Sequence, residues 1–146
     1  MKLAGKTAIV TGGGGGIGRA VSLRYAQEGA RCVVADVQLS LAEAVVKEIK
    51  SAGGSALAIS MDVTKQADID QTIQAAVAAF GQVDILFNNA AIFEMAPLLK
   101  SSRESYDRLF DINVKGMFFM MQAVAAHMVE KDICGKIINL SSQAGR

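Results

Sequence analysis

Glycines 12–16 form an unbroken run, and Gly18 follows after Ile17. Such a run can cradle a phosphate, because its backbone turns tightly and approaches the ligand with no Cβ in the way. The apolar run Thr7–Val10 precedes it, and a helical pattern opening at Arg19-Ala20-Val21 follows. Strand, glycine turn and helix bring a helix N-terminus to the phosphate, where free N–H groups and the helix dipole favour negative charge. Two registers fit: Gly13, Gly15 and Gly18 match G-x-G-x-x-G, while Gly12, Gly16 and Gly18 match G-x-x-x-G-x-G. Asp36 ends a second apolar run, Cys32–Ala35, at the separation of a residue that accepts hydrogen bonds from an adenosine ribose. A carboxylate there repels a 2′-phosphate, and no Lys or Arg lies in the turn or directly after Asp36. Together these residues point to NAD rather than NADP. The plainer readings are a flexible surface turn and a solvated acid at a strand end.

Four further groups are candidates for chemistry. Asp62-Val63 can accept from an adenine amino group and pack on its ring, or Asp62 can cap a helix together with Thr64. In Asn88-Asn89-Ala90-Ala91 the small residues leave space for a flat ligand, while the asparagines can tie strand ends together. Asn113 interrupts a long apolar helical pattern. It lies either on a solvated face or at a kink that holds a water. Ser141 and Ser142 can hydrogen-bond a substrate oxygen, or serve as a helix cap or turn. The lone His127 is read as a surface or helix-end residue, and Met117, Met120, Met121 and Met128 as core or subunit-contact residues.

The elements that must position these residues are visible as alternating patterns. Strands are expected at Thr7–Thr11, Arg31–Asp36, Ala56–Met61, Val83–Asn88 and Lys136–Leu140. Between them Leu41, Val45 and Ile49 recur at helical spacing, as do Ile69, Ile73, Val77 and Phe80. A longer stripe runs from Phe110 to Met128. The strands are nearly continuous in apolar character, as in a sheet covered on both faces. Gly29, Gly53-Gly54, Gly81 and Gly135 stand where helix C-caps belong. Repeated β-α-β units with right-handed crossovers give an α/β, Rossmann-like, doubly wound parallel sheet of order 3-2-1-4-5. All the candidate groups except Asn113 and the residues of the long helix then fall at the carboxyl ends of strands, on one edge.

Bulk properties narrow the function classes. A chain of 146 residues suits one domain, and a net charge of +1 offers no basic surface for nucleic acid or membrane. No apolar run is long enough to span a bilayer, and Gly5 and Lys6 interrupt any secretion signal. Cys32 and Cys134 lack metal-ligand spacing, so no metal site and a reduced, cytoplasmic setting are expected.

Thr11-Gly12-x-x-x-Gly16-Ile17-Gly18, Asp36, Asp62-Val63, Asn88-Asn89-Ala90, Asn113 and Ile137–Ser142 jointly resemble the short-chain dehydrogenase/reductase family from end to end of the chain. Ala91 departs from it, since the family commonly has glycine there. Asn89–Phe93, Arg103–Phe110 and Ser141-Ser142-Gln143-Ala144-Gly145-Arg146 are similar to bacterial polyol dehydrogenases of the sorbitol type. The resemblance implies oxidation of a sugar alcohol to a ketose, with NAD as hydride acceptor. It implies that Gly12, Gly15, Gly16, Ile17, Gly18, Asp36, Asp62, Val63, Asn89, Ala90 and Ala91 bind the cofactor. It gives Asn113 a water in a proton relay and Ser142 the substrate oxygen. It also implies a homo-oligomer in which the long helix around Asn113–Glu130 packs against its copy.

The family's base is the tyrosine of Tyr-x-x-x-Lys. Neither tyrosine here fits, since Gly29 follows Tyr25 by four residues and Phe110 follows Tyr106. The expectation is a C-terminally incomplete NAD-binding domain over 1–146, inactive by itself. Alternatives are a non-catalytic dinucleotide-binding module, and a carbonyl reductase acting on a ketoacyl or steroid ketone.

Overall fold

Five short apolar segments pair side by side in a parallel sheet, with helices on both faces. The structure, a computed structural model, describes residues 1–142. In chain order the elements are β1 (Thr7–Thr11), α1 (Gly16–Gln27), β2 (Arg31–Asp36), α2 (Leu39–Ser51), β3 (Ser55–Ser60) and α3 (Gln66–Phe80). There follow β4 (Ile85–Asn88), a 3-10 turn (Leu98–Lys100), α4 (Arg103–Phe110), a π-helical turn (Asp111–Gly116), α5 (Met117–Glu130) and β5 (Lys136–Asn139). The strand order is β3-β2-β1-β4-β5 and every pairing is parallel, so the fold is the doubly wound Rossmann type. Among the described residues, no helix is long and apolar enough to cross a membrane.

Register explains the two cores. Ile9 lies opposite Val33 on one side and Leu86 on the other. These three face one layer, where they pack with Met61, Ile69 of α3, and Met120 and Val124 of α5. Their neighbours Ala8, Cys32 and Ile85 face the opposite layer and meet Val45 and Ile49 of α2. Strand β1 is buried at all five positions. Each fully buried Ile or Leu contributes roughly 1.5–3 kcal/mol by leaving water. The sheet is thus a rigid floor that fixes where its carboxyl ends stand.

β1 and β2 have the bounds read from sequence, while β3–β5 are displaced or shortened by a residue or two. β4 opens at Ile85, just after Asp84, whose carboxylate receives Thr7 N–H at 2.9 Å. Leu140 follows β5 yet still donates to the Asn88 carbonyl at 2.9 Å. After α5 the left-handed position is held by Asp132 (φ 53°), and Gly135, expected as a cap, has no positive φ. The long helical stripe is one continuous helical body interrupted by the π-helical turn at Asp111–Gly116.

Candidate cofactor and substrate clefts

Two adjoining clefts open along the carboxyl edge of the sheet. The first, about 580 Å³, lies over the ends of β1, β2 and β3. The second, about 420 Å³, lies over the ends of β4 and β5. Val63, Asn89, Ala90, Ala91 and Ile92 line both, so the two form one continuous trough.

The glycine turn forms the first cleft's phosphate end. Gly12 adopts φ +60°, and a Cβ there would stand 2.9 Å from Asn89 Nδ2. Gly18 is buried behind the turn, where a Cβ would stand 2.1 Å from the Gly12 carbonyl oxygen. Gly12, Gly15, Gly16 and Ile17 line the cleft, whereas Gly18 does not and serves the close approach of α1 to the turn. Positive φ falls at Gly12 and Gly16 (+60° and +48°), both of the G-x-x-x-G-x-G register, and not at Gly13 or Gly15. Helix α1 opens at the cleft with no side chain capping it and no acid in its first turn. Its first N–H groups have no intrahelical acceptor, which suits an anion.

Asp36 stands at the end of β2, in the cleft wall. Its Oδ2 accepts from Gly14 N–H at 3.0 Å and its Oδ1 from Gln38 N–H at 2.9 Å. The carboxylate is therefore oriented by the glycine turn itself. Among the described residues, no Lys or Arg lines this cleft. Ile17, Val37 and Leu41, each at least 40% exposed, form an apolar lip around it. Val37 was not picked out from sequence, and Leu41, read there with Val45 and Ile49 as one helical stripe, stands at the lip of the cleft while those two are buried.

Asp62 lines the same cleft at the end of β3. Its Oδ1 accepts from Thr64 Oγ1 at 2.7 Å and Thr64 N–H at 3.0 Å, and Lys65 Nζ lies 3.5 Å from Oδ2. The Thr64 hydroxyl, above all, holds this carboxyl below the usual range, against a smaller effect of burial. The capping alternative is not realised: α3 has no side-chain cap, and Asp62 instead closes a turn onto Thr64 while its own N–H donates to Asp68 of α3 at 2.9 Å. Val63 is buried between the clefts.

Asn88 and Asn89 tie strand ends. Asn88 Nδ2 donates to Asn139 Oδ1 at 2.9 Å, joining β4 to β5. Asn89 Nδ2 donates to the carbonyls of Thr11 and Gly12 at 3.1 and 3.0 Å. Thr11 Oγ1 receives the N–H groups of Asn89 and Ala90, both at 3.0 Å. Thr11 thus fixes the end of β4 against the glycine turn, a role that sequence reading left unassigned beyond its place in the motif.

Asn113 and Ser142 line the second cleft, so the two candidate catalytic residues share one space. Asn113 occupies the π-helical turn, not a solvated face. Its side chain accepts from Ile92 N–H and donates to Ile92 C=O, both at 2.9 Å. Ser141 and Ser142 follow β5. Gln143, Ala144, Gly145 and Arg146, part of the polyol-type resemblance, lie outside the described residues.

The remaining reactive side chains are elsewhere. Neither Tyr25 nor Tyr106 lines a cleft. Burial, with a smaller effect from Cys32, pushes the Tyr25 phenol up, the wrong direction for a base. Burial pushes the Cys32 thiol up to about 12, leaving it unreactive. His127 Nε2 receives Val83 N–H at 3.3 Å and so joins the end of α5 to the segment before β4. Among the described residues no cluster of His, Cys, Asp or Glu could hold a metal.

The family model of the short chain dehydrogenases matches residues 6–146. The chain belongs to the short-chain dehydrogenase family. It is 53% identical over its whole length to a sorbitol dehydrogenase of Cereibacter sphaeroides, and 46% identical to a galactitol 2-dehydrogenase of Agrobacterium fabrum. It spans 56% of the length of each of these relatives. A short-chain type dehydrogenase/reductase from Mycobacterium marinum superposes with a TM-score of 0.96 at 36% identity, over 99% of this chain and 57% of its own. A 7α-hydroxysteroid dehydrogenase complexed with NADH and 7-oxo glycochenodeoxycholic acid superposes with a TM-score of 0.93 at 36% identity, over 99% of this chain and 56% of its own.

Proposed function

We propose that the complete protein is an NAD-dependent dehydrogenase that oxidises a secondary alcohol of a polyol, such as sorbitol, to a ketone. One observation carries the cofactor assignment: Asp36 is held to the glycine turn in a cleft lined, among the described residues, by no Lys or Arg. The free N–H groups of α1 suit a pyrophosphate, Asp36 suits ribose hydroxyls, and Asp62 with Val63 suits adenine. NAD, when bound, supplies the hydride acceptor. In the second cleft the Ser142 hydroxyl holds the alcohol oxygen, and Asn113 keeps the π-helical turn against Ile92. No Tyr-x-x-x-Lys occurs in these 146 residues, so the base that takes the alcohol proton is assigned to the complete protein.

The 53% identity to a sorbitol dehydrogenase supports a sugar alcohol or ketose as the substrate. The likeness to the hydroxysteroid enzyme supports a second reading, a carbonyl reductase for a bulkier ketone, at the lower identity of 36%. Phe118, Phe119 and Val129 are exposed on α5, and we assign this face to a homo-oligomer contact. Steady-state assays of the complete protein across sugar alcohols, with NAD and NADP in parallel, test the proposal. It predicts NADH formation from at least one polyol and a strong preference for NAD. No NADH from any alcohol would remove it.

A further inference from the structure

Ile92, Phe93 and Glu94 follow β4 and run beside the helical body of residues 103–130. Ile92 is fixed by Asn113, which bonds both of its backbone groups at 2.9 Å. Glu94 is fixed by α4: the Ser105 hydroxyl donates to one carboxylate oxygen, and the Arg108 guanidinium pairs with the other. An ionised carboxylate has only acceptors, and here each oxygen has its own donor. Ser105 lies in the first turn of α4, with its N–H on the Ser102 cap at 3.1 Å, so the helix dipole also favours the Glu94 charge.

Phe93 stands between these two anchors. It lines the second cleft together with Asn113 and Ser142, and it is 77% exposed. A scattered surface phenylalanine needs no explanation. Leu98 and Leu99 are more exposed still, yet they line neither cleft. Phe93 differs because both of its neighbours are bonded to one helical body, beside the polar groups of a cleft.

We propose that Phe93 is a specificity-determining wall of the substrate cleft, and that Glu94 is the residue that positions it. The proposal rests on reading the second cleft as the site of the alcohol. Phe93 offers a flat apolar surface to the carbon skeleton of a secondary alcohol, away from the C–H whose hydride goes to NAD, while Ser142 takes the oxygen. Binding sites commonly combine such apolar walls with a few orienting polar groups. Glu94 touches no substrate and acts through the ring's placement.

The test uses the complete protein at saturating NAD, with polyols, cyclic diols and steroid alcohols as substrates. Glu94→Ala raises KM for the alcohol about fivefold, the net scale of one ordinary hydrogen bond, and leaves kcat within about twofold and the NADH Kd unchanged. Phe93→Ala does the same. Adding Glu94→Ala to Phe93→Ala changes nothing more, because Glu94 acts through Phe93. Glu94→Gln keeps an acceptor and recovers most of the KM. Additive losses, or an equal loss of NADH binding, overturn the proposal. Hydrogen exchange at Ile92, whose N–H is bonded to Asn113, reads the anchor: it quickens in Glu94→Ala while residues 11–18 stay as in the wild type. Unchanged exchange at Ile92 overturns the proposal whatever alcohol is oxidised. A protein that oxidises only non-polyol alcohols defeats the polyol reading alone, and KM on that alcohol still decides the roles of Phe93 and Glu94.

Discussion

Asn89 and Thr11 hold each other twice, although 78 positions separate them: Asn89 N–H donates to Thr11 Oγ1, and Asn89 Nδ2 donates to the Thr11 carbonyl. The same Nδ2 reaches the Gly12 carbonyl at 3.0 Å. One amide thus locks the glycine turn to the end of β4. Asn89→Ala leaves two carbonyls short of a donor and costs about 1–3 kcal/mol of stability. Asn89→Asp is nearly isosteric but presents an acceptor to two acceptors, so it costs more than alanine. Urea unfolding of the two variants checks the order. NADH titration of the folded fractions is expected to show weakened binding in both. A more stable Asp variant would show that the side chain is not the donor described.

Asp36 is oriented before any ligand arrives, by the N–H groups of Gly14 and Gln38. Asp36→Ala removes the carboxylate that would accept from the ribose, and also loosens the turn. It is expected to weaken NAD about tenfold, the scale of one hydrogen bond to a charged group, while NADP loses nothing or gains. Asp36→Asn keeps an acceptor and removes the charge, so it relaxes the rejection of NADP with a smaller loss for NAD. Parallel titrations of both cofactors decide the matter, and unchanged affinities for the two would contradict the ribose assignment.

Much of this was legible in the sequence because the strands are apolar on both faces. Ile9, Val33 and Leu86 face one core while Ala8, Cys32 and Ile85 face the other, and that leaves unbroken runs to read. Parallel pairing then sends the carboxyl ends to one edge, which brings Gly12, Asp36, Asp62 and Asn89 together. A kink at Asn113 was one of two readings left open by the sequence, but its π-helical form was not legible. Phe110, Val114, Met117 and Met121 keep helical spacing straight through it, and its cause is a contact between Asn113 and Ile92 across the fold. Thr11 and Glu94 were hidden for a similar reason. Their meaning lies in partners that only the folded chain brings near, and a threonine or a glutamate by itself carries no such signal.

Asn113 spends both ends of its amide on Ile92. Asn113→Ala strands a donor and an acceptor of a half-buried backbone, so a loss of about 1–3 kcal/mol is expected. An asparagine on a solvated face would cost close to nothing on truncation. The urea midpoint separates the two cases. Hydrogen exchange at Ile92 adds a local readout, with faster exchange expected in the variant.

Asp84 lies at the opposite end of the sheet and acts on stability alone. It is 2% exposed and receives Thr7 N–H at 2.9 Å, Lys6 Nζ at 2.9 Å and Gln82 Nε2 at 2.8 Å. Burial pushes its carboxyl up, but the hydrogen bonds from Thr7, Lys6 and Gln82 together outweigh burial and hold it below the ordinary value. A depressed folded-state pKa stabilises the fold above the unfolded value, near about 3.9, and this contribution is lost as pH falls through the folded value. Asp84→Asn keeps an acceptor but gives up the charge. It is expected to lower stability by about 1–3 kcal/mol near pH 7. The gap between wild type and variant should then narrow as pH falls below about 4. Urea melts of both proteins across that range measure it. A gap that stays constant into acid would mean that Asp84 acts through shape and not through its charge.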